Sequence, residues 1–541
     1  MIVKFIVTYF NSDLINMEIK RFFLSLASCL FLVTGCKEPI KNAEKERKEV
    51  KRTIATFKEK YRPQFHFSPS EKWMNDPNGL VYHKGVYHLF YQYYPDDIVW
   101  GPMHWGHAIS KDMILWEHKP IALYPDENGL IFSGSAVVDK NNSSGFGSKE
   151  NPPLIAIFTY HNMEGEKAGT LDFQTQGIAY SLDNGETWKK YEGNPVIPNN
   201  TGIKDFRDPK VFWHEASGKW ILVLVAKDHA RIYSSNNLKK WTYLSEFGKN
   251  NGAHGGVWEC PDLFPLKVAD SDEEKWVLII SINPGAPNGG SGTQYFIGDF
   301  DGNEFTSNQK EPKWIDYGTD NYAGITYNNT PNKERIFIGW MSNWNYARDT
   351  PTQVWRSAMT LPRELSLHKI NTDYFLYNYP LKTLERVIEK GTPSKIKTAN
   401  KIMLEAANFN ESEVMFKTAN RNFELAFSNA EGDVFSLYMN GAKNKFIVDR
   451  TKSGSVDFQE SFGSSSHEMS IEGLPEGKIE LRIVMDWSSA EVFINKGQYV
   501  MTQQLFPTSN FTKLKIENKE LNKHLVFSEF ENNIINSIWN E

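Results

Sequence analysis

An all-β fold, a five-bladed β-propeller followed by a C-terminal β-sandwich, is what this sequence predicts, and three observations lead to it. A strand pair recurs about five times between residues 61 and 366 at roughly 50- to 75-residue intervals, the range of propeller blades rather than of helical solenoids. A polar turn that runs from a strand end to a Trp repeats at residues 110–116, 181–188 and 234–241. After about residue 395 the pattern changes to short alternating strands with Gly and Asn turns, as at 423–427, 435–439, 479–487 and 491–494, which reads as a sandwich.

Taken in order, the chain opens with an address. Residues 17–21 form a short basic segment, residues 22–33 an apolar run too short to span a membrane as a mature helix, and Gly35-Cys36 follows. This reads as a secretion signal, with translation starting at Met17. Leu32-Val33-Thr34-Gly35-Cys36 resembles the lipobox of bacterial lipoproteins, in which the Cys is lipidated and becomes the mature N-terminus. That implies a lipid anchor on Cys36 and a place in the bacterial cell envelope, on the outer membrane or cell surface. Of the three cysteines, Cys29 lies in the removed segment and Cys36 carries lipid on this reading, so Cys260 has no intramolecular partner and no disulfide framework is expected. Residues 37–60, rich in Lys and Glu, suit a solvated tether. The expected division is a signal segment at 1–35, the lipidated Cys and tether at 36–60, the propeller at 61–366, a linker at 367–395 and the sandwich at 396–541.

The blade repeats begin near Asp76, Ser133, Asp208, Glu259 and Tyr322, each followed by two strand-like runs with a turn between them. Innermost strands of a propeller run side by side around a channel, so residues at the same end of successive strands meet at one mouth. Asp76, Asp208 and Glu259 hold equivalent places, and three acids around one pocket follow from the repeat. The sandwich shows no clustered acids or His pairs. Its expected role is packing against the propeller, with carbohydrate binding as the alternative. A net charge of -6 argues against a basic surface that tracks phosphates, so nucleic acid is excluded as a partner. An aromatic content of 14% fits a chain that buries or stacks many rings.

The chemistry is read from three stretches. Trp73-Met74-Asn75-Asp76-Pro77-Asn78-Gly79 sets one carboxylate among turn formers at a strand end. In Phe206-Arg207-Asp208-Pro209-Lys210, Arg207 can fork two hydrogen bonds while Asp208 stays ionised beside it. In Trp258-Glu259-Cys260-Pro261, the apolar neighbours of Glu259 are expected to desolvate it and keep it protonated enough to act as an acid. Each alone could be a turn cap or an ion-pair residue. Together they look like glycosidase chemistry with a nucleophile, an acid/base and a further carboxylate. His66, His104, His107 and His254 are not at metal-ligand spacing, and are read as sugar hydrogen bonders or core histidines. Neither a metal nor a cofactor is called for.

Residues 73–79, Phe132-Ser133-Gly134-Ser135, residues 207–210, Glu259-Cys260-Pro261 and residues 355–365 together resemble glycoside hydrolase family 32, and the match covers nearly the whole mature chain. The resemblance implies a five-bladed propeller with a C-terminal sandwich that hydrolyses β-fructofuranosides with retention, acting on fructan or sucrose. By motif, Asp76 would be the nucleophile, Glu259 the acid/base and Asp208 the stabiliser that binds fructose hydroxyls. Asn75, Gln92, Trp100, Ser133, Arg207 and Trp340 would line the fructose subsite, with Trp100, Phe132 and Trp340 walling a funnel. Residues 316–324 and 342–347 look more like bacterial exo-fructanases than like sucrose-specific invertases. The rival readings are an inverting, arabinan-degrading five-bladed glycosidase, a sucrose-specific invertase and a non-catalytic glycan-binding lipoprotein.

Overall fold

The computed structural model describes residues 56–391, 401–520 and 527–539. The signal segment, Cys36 and all of the tether up to residue 55 lie outside the described residues. Among the described residues, no helix is long and apolar enough to cross a membrane.

Five sheets form the propeller. Their inner strands are Lys72–His83, Leu130–Val138, Phe206–His214, Val257–Lys267 and Tyr322–Thr326, and each pairs antiparallel with the strand that follows it. The second strands carry continuous apolar runs because they are covered on both faces. In Lys219–Ala226 of the third blade, Ile221, Val223 and Val225 pack with Leu278 and Ile280 of the fourth. The alternate residues Leu222 and Leu224 pack with Ile155 and Ile157 of the second. A strand whose successive side chains face two neighbouring blades has no polar face to show, so alternation vanishes there.

The repeated turn ending in Trp has a physical basis. Ser110 Oγ lies 3.1 Å from Asp112 Oδ1, Ser181 Oγ 2.7 Å from Asp183 Oδ1, and Ser235 Oγ 3.3 Å from Asn237 Oδ1. In each case the Asp or Asn side chain then accepts backbone N–H groups further along the turn, as Thr187 N donates to Asp183 at 2.9 Å. Such side-chain bonds replace the ladder where the strand ends.

The ring is closed by a short strand, Trp355–Arg356, which pairs in parallel with Lys72 and Trp73 at the start of the first blade. Asn328 fastens the far end of the channel. Its Nδ2 donates to Ala136 O and Val211 O at 2.8 and 3.1 Å, and its backbone pairs with Leu80 and Tyr82.

Two boundaries differ from expectation. Residues 367–380 are no linker, because Arg363–Ile370 and Asp373–Pro380 pair as the outer strands of the fifth blade. The blade needs its outer strands to cover Phe264 and Phe337, which share a core with Leu365 and Leu376. The sandwich also begins before residue 396, since Ile388 and Glu389 pair with Ile535 and Ile534 in one of its sheets. Its two six-stranded sheets enclose Phe416, Leu425, Phe435, Leu481 and Val492.

Propeller and sandwich share a buried polar seam. Arg363 donates to Asp316 at 2.9 Å on the propeller and to Glu491 at 2.7 Å and Thr502 at 2.7 Å on the sandwich. His66 lies between Asp486 at 2.7 Å and Glu491 at 3.0 Å. Burial would push its imidazole down, but those two carboxylates hold it at about 9. His66 is therefore a buried ion-pair residue of the seam.

Candidate active site

All five inner strands are interrupted near the same end. The pairing register of the first blade shifts between Met74 and Pro77, that of the second between Ile131 and Gly134, and that of the third opposite Val223 to Val225. The fourth shifts between Glu259 and Asp262 and the fifth between Tyr322 and Ile325. These β-bulges hold Asn75-Asp76, Phe132-Ser133, Asp208, Cys260-Pro261 and Ala323-Gly324. An extra residue in one strand bends it and re-aims its side chains, which is how a propeller turns strand residues into its channel. Asp208, Cys260 and Ala323 have φ of 63°, 46° and 53°, a conformation that non-glycine residues rarely adopt.

Asp76 is half-buried and held from several sides. Ser133 Oγ donates to Oδ2 at 2.7 Å and Asn75 Nδ2 to Oδ1 at 2.9 Å, while Trp73 Nε1 donates to Asn75 Oδ1 at 2.7 Å. The Cys260 thiol lies 3.6 Å from Asp76 and 3.7 Å from Asp208, and the Cys260 N–H donates to Asp208 at 3.0 Å. Burial and the charge of Glu259 push the Asp76 carboxyl up. Burial pushes Cys260 up as well, aided by the surrounding acids, so it stays a thiol.

In the second acidic stretch Arg207 bonds carboxylates, as expected, and Asp208 departs from expectation. The two terminal nitrogens of Arg207 do not face Asp208: Nη1 donates to Asp205 at 2.8 Å and Nη2 to Glu259 at 2.9 Å, while Nε lies 3.8 Å from Asp208. Burial raises Asp208, Arg207 opposes this, and Glu259 and Asp76 add to it, leaving the group at about 7 rather than fully ionised. Glu259 differs too. Its carboxylate is held by charge and hydrogen bonding, from Arg207 and from the Tyr322 hydroxyl, and not by an apolar pocket. Trp258 is buried in a separate core beside Phe296, and Cys260 turns its thiol to Asp76 and Asp208.

Of the expected sugar contacts, Asn75 and Ser133 touch Asp76, and Arg207 touches Glu259. Trp100 and Phe132 form an edge-on pair at 6.1 Å, and Phe132 stacks on His161 at 4.2 Å. Trp340 lies beside Trp73 and Tyr322, with ring centroids at 6.2 and 6.4 Å. Gln92 Nε2 and Trp340 Nε1 are buried donors that find no protein partner. Each such group costs free energy unless another molecule accepts from it. His107 pairs with His88 at 3.1 Å in the core, and His104 binds Pro102 O at 2.9 Å. His254 stacks on Trp258 at 5.5 Å.

Below the acids the channel is plugged. Lys210 pairs with Asp262 at 2.9 Å, and Thr326 donates to Asp262 through both N and Oγ1 at 2.7 Å. A cavity of only about 10 Å³ remains there, lined by Asn78, Asp208, Lys210 and Cys260 among others.

Residues 66–380 match the N-terminal domain of glycosyl hydrolases family 32 and residues 381–532 its C-terminal domain. The chain belongs to glycosyl hydrolase family 32. It is a glycosidase, and its propeller and sandwich are the two domains of that family. The levanase of Bacillus subtilis (strain 168) is 47% identical over 475 residues, covering 85% of this chain and 68% of that one. The extracellular exo-inulinase of Aspergillus awamori is 40% identical over 496 residues, or 84% of this chain and 91% of the other. A crystal structure of exo-inulinase from the same fungus superposes with a TM-score of 0.82 at 38% identity, over 89% of this chain and all of that one. The β-fructofuranosidase of Schwanniomyces occidentalis, solved with fructosyl-erythritol, gives 0.79 at 32% identity over 88% and 98% of the two chains.

Sequence reasoning missed Tyr322 as a site residue, although the stretch containing it was singled out. A Tyr opening a blade beside Asn321 carries no mark in sequence of the carboxylate its hydroxyl will meet.

Proposed function

We propose that this family 32 glycosidase is a retaining β-fructosidase that releases terminal fructose from β-fructans, levan or inulin, and from sucrose. The observation that carries the reading is the meeting of Asp76, Asp208 and Glu259 at one end of a plugged propeller channel. The names of the related levanase and exo-inulinase supply the sugar. A glycosidic oxygen leaves with a proton from Glu259 as the Asp76 carboxylate attacks the anomeric carbon of fructose, giving a covalent fructosyl ester. Water, deprotonated by Glu259, then hydrolyses that ester and returns the same anomer. A ketose carbon already bears two oxygens and a carbon substituent, so oxocarbenium character develops readily. On this reading Asp208 binds fructose hydroxyls on the way. Gln92 Nε2 and Trp340 Nε1, buried without protein partners, supply donors for further hydroxyls.

A plugged funnel admits chain ends more readily than chain middles, which supports exo-action. Chromatography of levan, inulin and sucrose digests over time tests this. Fructose should dominate from the earliest points, and early fructo-oligosaccharides would rule exo-action out. Asp76→Asn and Glu259→Gln should each lower kcat by roughly a thousandfold or more with the fold intact, and near-normal turnover in either would remove the role assigned to that residue.

We also propose that Cys36 carries a lipid anchor placing the enzyme at the cell envelope. The apolar run ending in Gly35-Cys36 and the charged stretch after it support this reading. Cys36→Ala should move the protein from the membrane to the soluble fraction of producing cells, and unchanged membrane association would defeat the idea.

A further inference from the structure

We infer that Arg450, in the sandwich, is a positioning residue for the mouth of the propeller: it holds Tyr346 and Asp320, and so fixes the loop of residues 342–354 that sets Trp344 against Trp73.

The guanidinium of Arg450 is fully buried and every arm of it is used. Nη1 donates to Asp320 Oδ2 at 2.6 Å and to Gln504 O at 3.1 Å. Nη2 donates to the Tyr346 oxygen at 2.9 Å, and Nε to Phe462 O at 3.0 Å. The Tyr346 hydroxyl in turn donates to Asp320 Oδ1 at 2.7 Å. Asp320 and Tyr346 belong to the propeller, whereas Arg450, Phe462 and Gln504 belong to the sandwich. A buried ion pair of this kind adds little net stability over a well-packed apolar contact, but it admits few geometries.

What it fixes is close to the chemistry. Tyr346 stands two residues after Trp344 and two before Arg348. The Trp344 ring stacks on Trp73 at 5.9 Å and meets Trp340 at 4.9 Å. Trp73 Nε1 holds Asn75, and Asn75 holds Asp76. Arg348 lies 5.9 Å from the rings of both Trp100 and Trp344. On its other side Asp320 precedes, by two residues, the Tyr322 whose hydroxyl binds Glu259. One sandwich side chain is thus tied to the neighbours of both carboxylates proposed to react, and to an aromatic wall that a sugar passes.

The kinetic arm of the test rests on the β-fructosidase reading; a spectroscopic arm does not. Tyr346→Phe in the full-length protein removes the hydroxyl and keeps the ring, which meets Phe462 edge-on at 5.0 Å. It should raise KM for sucrose by roughly fivefold or more and change kcat by less than about threefold. The near-ultraviolet circular dichroism from the packed indoles of Trp73, Trp340 and Trp344 should change with it. Arg450→Lys, which keeps the charge but not the fork, should move both readouts the same way. A Tyr346→Phe protein that melts earlier yet keeps the parent KM and indole signal would make the contact purely structural and overturn the inference. If the unaltered enzyme released no fructose from any substrate, the functional reading would fail instead. The indole signal would still decide this point: unchanged it overturns the inference, changed it supports it.

Discussion

With Nη1 and Nη2 directed to Asp205 and Glu259, Arg207 is better placed to orient Glu259 than to neutralise Asp208. Tyr322 adds a second donor to the same carboxylate, and burial together with the charge of Glu259 keeps its own phenol protonated. Tyr322→Phe should therefore loosen the orientation of Glu259 and lower kcat by roughly tenfold or more with the fold intact. An unchanged kcat would show the phenol to be inert. The three acids were legible in the sequence because a repeat carries positional information that one motif lacks. Arg207's choice of partners was not, since a guanidinium beside three carboxylates can pair with any of them and only their final positions select.

At the scale of the element, the bulges do what the motifs could not announce. A register shift is a property of two strands, whereas a sequence is read one strand at a time, so Pro and Gly at residues 77, 134, 209, 261 and 324 marked irregularity without specifying its form. The outer strands of the fifth blade were misread as linker for a related reason. Residues 373–380 intersperse half-exposed Tyr374, Tyr377 and Tyr379 with the buried Leu376 and Asn378, so they show no clean apolar face. Gly134 shows how little tolerance a bulge has. A Cβ there would stand 2.0 Å from Ile157 O and 2.7 Å from Phe158 Cα, both backbone atoms of the paired strand. Gly134→Ala should cost about 2 to 4 kcal/mol, because backbone cannot swing aside as a side chain can. It should also lower activity by shifting Ser133 from Asp76. Denaturant unfolding with parallel assays checks both, and a fully stable, fully active variant would contradict the packing described.

Over the whole molecule, the seam between propeller and sandwich carries a buried titratable charge at His66. His66 is held at about 9 in the folded protein, above its usual 6.5, so its charge stabilises the fold in full below about pH 6.5. That contribution declines as the pH rises from there and is gone once His66 deprotonates above about 9. Thermal melts between pH 6 and 10 should show a falling midpoint, and His66→Gln should be less stable than the parent at pH 6 and lose most of that fall. An equally steep fall in the variant would place its origin elsewhere. The expected packing role of the sandwich was legible only as an absence of acid clusters. Its buried Arg and Glu residues look in sequence like ordinary surface charges. The closing strand at Trp355–Arg356 carries a consequence for timing. Residues 72 and 73 are made early, yet their parallel neighbours arrive only after nearly three hundred more residues. Until then the first blade lacks one edge, and the carboxylates of the first and fourth blades have no ring to bring them together. On the proposed roles of Asp76 and Glu259, hydrolysis should therefore switch on late in synthesis, when the circle is complete.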